Sequence, residues 1–285
     1  RELLEMDSVF RETVQECDAL ISQWADWSLW EELTATETES SIEETRIAQP
    51  AIFAVQVGLT AMWRSWGIEP AVIVGHSAGE VAAAWAAGAL TLPDACRVIY
   101  ERSRLQHLTE GEGRMMAVGL PATEVANVIR GFEDRVAIGA VNSPTSVTLA
   151  GDEATLEMIG ERLDQKDVFR RMLYGKVPYH SPAMDHIKPE LIASLKSLKP
   201  KTATTPLYST VLGIRIDGSD LDASYWADNC RETVRFADVV GALVEEDYQL
   251  FLEVSAHPVL AGALKEGLSH KKREGSVVAS LRRKE

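Results

Sequence analysis

An α/β fold that carries a second, smaller unit as an insert is predicted for this chain by three observations. A short apolar strand, Val72-Ile73-Val74, runs through Gly75-His76-Ser77-Ala78-Gly79 into the alanine-rich helical stretch from Val81 to Ala87. Between Met115 and Leu173 the pattern changes to strand, helix, strand, strand, helix, strand. Helix and strand signals then alternate again to the end of the sequence.

Taken in order, Val9, Phe10, Val14, Cys17, Leu20, Ile21 and Trp24 form the apolar stripe of an amphipathic helix. A sequence beginning almost inside a helix reads as truncated. Glu31 to Glu44 holds six glutamates among Thr and Ser and reads as a solvated loop, with a polar helix as the alternative. Gln49-Pro50 opens a helix over Ala51 to Trp66, with Pro where a first turn tolerates it, and Gly67 ends it. Glycines at 75 and 79 are expected to let the chain turn sharply and to let strand and helix approach. Thr91-Leu92-Pro93-Asp94 starts another helix, running to about His107, which places Arg97, Arg102 and Arg104 on one element. The inserted strands and helices, Met115–Gly119, Pro121–Arg130, Arg135–Val141, Ser146–Ala150, Asp152–Leu163 and Val168–Leu173, follow the ferredoxin-like order. Val177-Pro178-Tyr179-His180-Ser181-Pro182 is too proline-rich for an element interior, so His180 is expected on the loop that returns to the main domain. Ile187 to Leu198 keeps helical spacing, Phe236 to Leu243 reads as a helix, and Leu250–Val254 and Val277–Leu281 read as buried strands. The division is therefore 1–113 and 181–285 for the larger unit and 114–180 for the smaller.

Composition excludes several classes of function. The 285 residues carry a formal net charge of −14, which argues against sequence-independent nucleic-acid binding. No stretch approaches the roughly 20 apolar residues of a membrane helix, and the N-terminus lacks a signal-peptide layout, so the expectation is a cytoplasmic protein with no membrane partner. Cys17, Cys96 and Cys230 are too far apart for a disulfide framework or metal motif and read as buried thiols.

Gly-x-Ser-x-Gly between strand and helix is a nucleophile elbow that exposes the Ser77 hydroxyl at its apex. The helix begins just beyond it, so free backbone N–H groups, that of Ala78 first, face the place where an oxyanion would form. A serine needs a base. Among His76, His107, His180, His186, His257 and His270, His180 on its Pro-flanked loop is the best candidate, with His257 as competitor.

Five motifs now stand together in order: Gln49-Pro50-Ala51-Ile52-Phe53-Ala54, Gly75-His76-Ser77-Ala78-Gly79-Glu80, Glu101-Arg102-Ser103-Arg104-Leu105, Tyr179-His180-Ser181-Pro182, and Glu253-Val254-Ser255-Ala256-His257-Pro258-Val259-Leu260. With Tyr225-Trp226, Val234-Arg235-Phe236 and the closing Ser280-Leu281-Arg282-Arg283, they resemble the malonyl-CoA:acyl carrier protein acyltransferase family over nearly the whole chain. The likeness is nearest to the acyltransferase domains of type I polyketide synthases. It implies an α/β-hydrolase-like large subdomain with an inserted ferredoxin-like small subdomain. It also implies Ser77 as acylated nucleophile, His180 as its base and the Ala78 N–H as oxyanion donor. Arg102, 25 residues after the serine, corresponds to the arginine that holds the free carboxylate of the extender unit. Asn229 corresponds to the position that orients the histidine, and Gln49, His76 and Tyr179 to pocket positions. The implied reaction moves a malonyl-type unit from coenzyme A onto serine and then onto the phosphopantetheine thiol of an acyl carrier protein. No bound cofactor or metal takes part, and ketosynthase domains are the expected neighbours.

Two features depart from the family pattern. The Gly-Gln-Gly-x-Gln segment, source of a second oxyanion donor, is expected just ahead of Arg1. Val-Pro-Tyr-His before and at the base matches neither the His-Ala-Phe-His of malonyl selection nor the Tyr-Ala-Ser-His of methylmalonyl selection, although a bulky Tyr179 resembles Phe and favours malonyl. The enzyme alternative is an α/β-hydrolase esterase or thioesterase, whose histidine lies near the chain end and would be His257 or His270. A scaffold domain that keeps the fold without turnover is the third class.

Overall fold

The computed structural model describes residues 1–36 and 38–282. Glu37 of the acidic stretch and Arg283 of the closing motif lie outside them. The chain opens with α1 (Glu2–Met6) and α2 (Ser8–Ile21), and Asp7 caps the second by accepting from the Phe10 N–H at 2.8 Å. The expected stripe is real: Phe10, Val14, Cys17 and Ile21 are buried. The acidic stretch is not wholly a loop. It begins inside α3 (Leu29–Thr34), because Ser28 caps the Glu31 N–H, Asp18 accepts from the Trp30 N–H, and Leu29 is buried.

Helix α4 (Thr45–Ser65) starts earlier than its proline suggested, so Pro50 lies inside it. An interior proline removes the N–H that the carbonyl four residues back would accept. Here the Ser103 hydroxyl reaches the Arg46 carbonyl at 3.3 Å and shares its one hydrogen between that carbonyl and the Tyr100 carbonyl at 3.0 Å, which partly replaces the missing bond. Strand β1 (Ile73–Val74), α5 (Gly79–Ala86) and α6 (Leu92–His107) follow, the last capped by Thr91 on the Asp94 N–H.

The inserted unit comprises β2 (Arg114–Val118), α7 (Ala122–Val128), β3 (Val136–Ser143), β4 (Ser146–Gly151), α8 (Glu153–Asp164) and β5 (Arg170–Met172). Its antiparallel sheet has the order β3-β4-β2-β5, and Met116, Val136, Leu149, Leu156 and Ile159 belong to its own apolar core. This is the ferredoxin-like arrangement.

The chain returns through a 3-10 turn, Pro182–Ile187, and α9 (Lys188–Leu195), so the helical spacing read from Ile187 begins where the tighter turn ends. Then come β6 (Leu207–Ser209), β7 (Ile214–Ile216), α10 (Ala223–Arg231), α11 (Phe236–Glu245), β8 (Leu250–Glu253), α12 (Ala261–His270) and β9 (Ser276–Ala279). β1 pairs in parallel with β6, which pairs antiparallel with β7, and β8 pairs in parallel with β9. The last pair is not buried as the sequence suggested. Among the described residues the two strands form a sheet with no third strand, Phe251 and Val277 pack toward Leu264 and Leu268, and Leu250, Leu252 and Val278 are exposed. The whole is an α/β-hydrolase-like large subdomain with a ferredoxin-like small one. Among the described residues no helix is long and apolar enough to cross a membrane.

The two subdomains are laced along β3. The Val141 N–H donates to the Val234 carbonyl at 2.8 Å, and the Val234 N–H to the Gly139 carbonyl at 2.9 Å. At the elbow only one glycine is sterically required. A Cβ on Gly75 would lie 2.4 Å from the Glu80 backbone, whereas a Cβ on Gly79 would meet nothing nearer than Gln56 Nε2 at 3.6 Å. Gly75→Ala is therefore expected to cost about 1–3 kcal/mol or more of stability, and Gly79→Ala less than about 1 kcal/mol, by chemical denaturation. Equal losses at the two positions would contradict this account of the turn.

Candidate active site between the subdomains

Ser77 sits at the junction of β1 and α5 with φ 54°, in the left-handed region that a residue with a side chain occupies at a cost. The turn is closed by Gly79 N–H to His76 carbonyl and Glu80 N–H to Ser77 carbonyl bonds, both 3.0 Å. Its far side is tied down by the buried Glu80 carboxyl, which accepts from the Thr210 N–H at 2.7 Å and from the hydroxyls of Thr210 and Tyr225. Burial pushes this carboxyl up, with those hydrogen bonds acting against the shift. Ala78 is the N-cap of α5, and among the described residues its N–H has no acceptor in the chain. That donor stands at the positive end of a helix, beside the serine.

His180 is also left-handed, with φ 60°. Its backbone N–H donates to the Cys230 carbonyl at 3.2 Å, and β3 passes close enough that a Cβ on Gly139 would lie 3.5 Å from His180 Cβ. Nδ1 faces the Glu232 carbonyl at 2.9 Å, and Nε2 faces Ser77 Oγ at 2.7 Å. A carbonyl only accepts, so Nδ1 carries the hydrogen and Nε2 is left to accept from the serine hydroxyl. Burial, then the charge of Arg102, push the imidazole down to about 3, so it is a neutral base across the ordinary pH range.

The group that orients the ring is the Glu232 carbonyl, not Asn229. Helix α10 ends at Arg231, which frees the Glu232 carbonyl to face the imidazole. Asn229 lies on the buried face of that helix and points elsewhere: its Oδ1 accepts from Arg102 Nε at 3.0 Å and its Nδ2 donates to the Ser77 carbonyl at 3.3 Å.

Arg102 is 1% exposed. Its Nη2 donates to Ser77 Oγ at 3.0 Å, and its Nη1 to Gln49 Oε1 at 2.6 Å and Gln106 Oε1 at 2.8 Å. Each of these partners, and Asn229 on Nε, is neutral. The other arginines of α6 differ: Arg97 pairs with Glu101 at 2.6 Å, and Arg104 with Glu101 and Glu190 at 2.8 Å each. Of the three, Arg102 alone is a buried cation held by amides and a hydroxyl.

Around this centre, the Tyr179 hydroxyl bonds to Thr45 Oγ1 at 2.6 Å, and His76 Nε2 to Asn142 Oδ1 of β3 at 2.8 Å, with its ring edge-on to Phe236. Burial pushes His76 down and Tyr179 up, so both are neutral. Ser77, Ala78, His180, Arg102, Asn229 and Gln49 are thus linked or adjacent, His76 lies at the seam with the small subdomain, and Tyr179 precedes His180 with its hydroxyl tied to Thr45. His257 and His270 are exposed, and the histidine bonded to Ser77 is His180. Gln106, Glu80, Asn142 and the Glu232 carbonyl were not read from sequence. Gln106 had one available signal, its position one turn beyond Arg102 on the same helix face.

A family model described as the acyl transferase domain matches residues 1–285. The chain is 40% identical over 289 residues to polyketide synthase GfsE of Streptomyces halstedii, covering 100% of this chain and 8% of that protein. It is 39% identical over 284 residues to erythronolide synthase EryA2 of Saccharopolyspora erythraea, covering 99% of this chain and again 8% of the other. The chain therefore spans less than a tenth of these curated relatives. Among solved structures, the acyltransferase domain from module 8 of the salinomycin polyketide synthase superposes with a TM-score of 0.97 at 37% identity, covering 100% of this chain and 67% of that one. A loading acyltransferase from the avermectin modular polyketide synthase gives 0.93 at 35%, covering 99% and 89%.

The depressed His180 basicity sets a pH dependence of stability. Above about pH 6.5 the imidazole is unprotonated in the folded and unfolded chain alike, and it contributes no slope. Between there and about 3 only the unfolded chain binds the proton, so stability falls as pH falls. Denaturant unfolding at pH 6.5 and 4.5 should show a steeper loss than in His180→Gln, by up to about 1.4 kcal/mol per pH unit. Parallel losses would contradict the neutral, buried imidazole.

Proposed function

Because the chain belongs to the acyl transferase domain family, we propose that it moves a malonyl unit from coenzyme A to the phosphopantetheine thiol of an acyl carrier protein, through an ester on Ser77, as one domain of a polyketide synthase. The observation that carries this reading is the conjunction at Ser77 Oγ: a neutral imidazole at 2.7 Å to take its proton and a guanidinium at 3.0 Å that forms no ion pair among the described residues.

The steps follow from those positions. Ser77 Oγ attacks the thioester carbonyl as its proton passes to His180 Nε2, and the Glu232 carbonyl, still accepting from Nδ1–H, stabilises the imidazolium. Negative charge on the former carbonyl oxygen is met by the Ala78 N–H and the N-terminus of α5. Collapse breaks the C–S bond, and His180 returns the proton to the departing thiolate. A carrier thiol then gives its proton to His180 and attacks the serine ester, and the same proton finally regenerates the hydroxyl. Coenzyme A and the carrier arm are substrates in this scheme, and the bond changes need no oxidant or reductant.

Selection follows from charge. A malonyl carboxylate on Arg102 supplies the anion that the buried guanidinium lacks, with a forked geometry that Lys cannot reproduce. A neutral acyl group leaves the cation uncompensated, at a cost of about 1–3 kcal/mol. The Tyr179 ring, tethered through its hydroxyl to Thr45, places fixed bulk beside the base and supports malonyl over methylmalonyl.

Incubation with malonyl-CoA followed by intact-mass measurement should show one malonyl adduct that Ser77→Ala lacks. His180→Ala is expected to slow adduct formation by about 10²–10⁴-fold, with His257→Ala within about twofold of the unsubstituted protein. Arg102→Ala should lower the preference for malonyl-CoA over acetyl-CoA by about 10–100-fold. An adduct that survives Ser77→Ala, or dependence on His257 instead of His180, would overturn the assignment.

A further inference from the structure

The guanidinium of Arg102 has five N–H groups, and four of them have partners. Nε–H goes to Asn229, the two on Nη1 go to Gln49 and Gln106, and one on Nη2 goes to Ser77. A substrate carboxylate bound in the forked manner needs two neighbouring N–H groups, so one of the resting acceptors has to yield. Burial separates the candidates. Gln106 and Asn229 are 0% and 1% exposed, whereas Gln49 on α4 and Ser77 are only half-buried. Of those two Ser77 is, on the reading above, the oxygen that carries the acyl group, which leaves Gln49 to yield.

The amide orientations are fixed by the same arithmetic. Arginine only donates, so the Gln49 and Gln106 atoms that face Nη1 are oxygens. Gln49 Nε2 then needs an acceptor and finds Gln106 Oε1 at 2.8 Å. One oxygen of Gln106 therefore receives both Arg102 Nη1 and Gln49 Nε2, while its own Nε2 has only Met184 Sδ at 3.8 Å, a weak acceptor. Burying an amide with so poor a partner for its N–H is unfavourable unless the carbonyl is needed where it stands.

On the carboxylate-binding reading above, we infer that Gln106 is the positioning residue that sets selectivity for acidic acyl groups. Its carbonyl anchors Nη1 of Arg102 throughout, and Gln49 Oε1 is the acceptor that the incoming carboxylate displaces. The neutrality of Gln106 matters as much as its hydrogen bonds. A carboxylate of the same shape at 106 keeps both bonds but compensates the guanidinium from within, removing the demand for an anionic substrate.

The test is steady-state and single-turnover acylation of the 285-residue protein by malonyl-CoA and acetyl-CoA, in Gln106→Glu, Gln106→Met and Arg102→Ala. Gln106→Glu should lower the malonyl-over-acetyl preference at least about tenfold, the change lying in KM for malonyl-CoA, with acetyl transfer retained. Gln106→Met, which keeps the volume and removes the acceptor, should raise KM for malonyl-CoA about tenfold and change kcat less than about threefold. It also serves if the glutamate variant does not fold. Preferences within about twofold of the unsubstituted protein in the folded Gln106 variants, while Arg102→Ala loses selectivity, would overturn the role of Gln106 alone. No loss in Arg102→Ala either would overturn the carboxylate-binding reading and this inference with it.

Discussion

A cation buried without an anion governs this site. Among the described residues Arg102 hydrogen-bonds to no carboxylate: amide oxygens and one hydroxyl are its partners, and the buried Glu80 carboxyl that feels its charge is itself pushed toward the neutral form by burial. Dipoles can hold a guanidinium in place, but only an opposite charge offsets its desolvation fully. The consequences reach each neighbour. The same field lowers the proton affinity of His180, keeping Nε2 free to accept, and Nη2 sits on the serine oxygen itself. One side chain therefore connects His180, Ser77 and, on the proposed reading, the choice of acyl group. The overall formal charge of −14 does not oppose this, because exposed carboxylates are screened from a residue sealed inside.

The fold delivers this arrangement through two strained residues and one shared edge. Ser77 and His180 both occupy left-handed backbone, one at a strand-to-helix turn and the other where the chain comes back from the small subdomain. Neither conformation is held by local bonds alone. Glu80 ties the elbow to Thr210 and Tyr225, and Cys230 and Glu232 hold the histidine loop by backbone and ring. Since β3 bonds to Val234 and passes close to His180 at Gly139, the small subdomain is part of what positions that imidazole. Its Asn142 also holds His76.

What could be read from the sequence was what depends on local pattern. The elbow at Ser77, the cap at Thr91, the six-element order of the insert and a loop at His180 follow from spacing, glycine and proline. Arg102 was set apart from Arg97 and Arg104 by family likeness, although helical spacing carried a signal too: Glu101 lies four residues after Arg97 and three before Arg104, and no acid stands at those offsets from Arg102. The Glu232 carbonyl was invisible for a simpler reason: a backbone acceptor has no residue type. Pro50 misled because the hydroxyl that partly replaces its missing bond belongs to Ser103, on another helix. The apolar runs at β8 and β9 read as buried, yet among the described residues the pair has no further strand beside it and one face is left open.

The glycine result sharpens the same lesson. Gly75 and Gly79 look equivalent in Gly-x-Ser-x-Gly, yet only the first faces backbone at a distance that excludes a side chain. The account as a whole rests on where the substrate's free carboxylate lies once Ser77 is esterified, and a crystal structure of the protein trapped after reaction with malonyl-CoA measures that directly. The account predicts carboxylate oxygens within about 2.7–3.0 Å of Arg102 Nη1 and Nη2, with Gln49 turned away and Gln106 still in place. A carboxylate directed to solvent, with Gln49 still on Nη1, would contradict it.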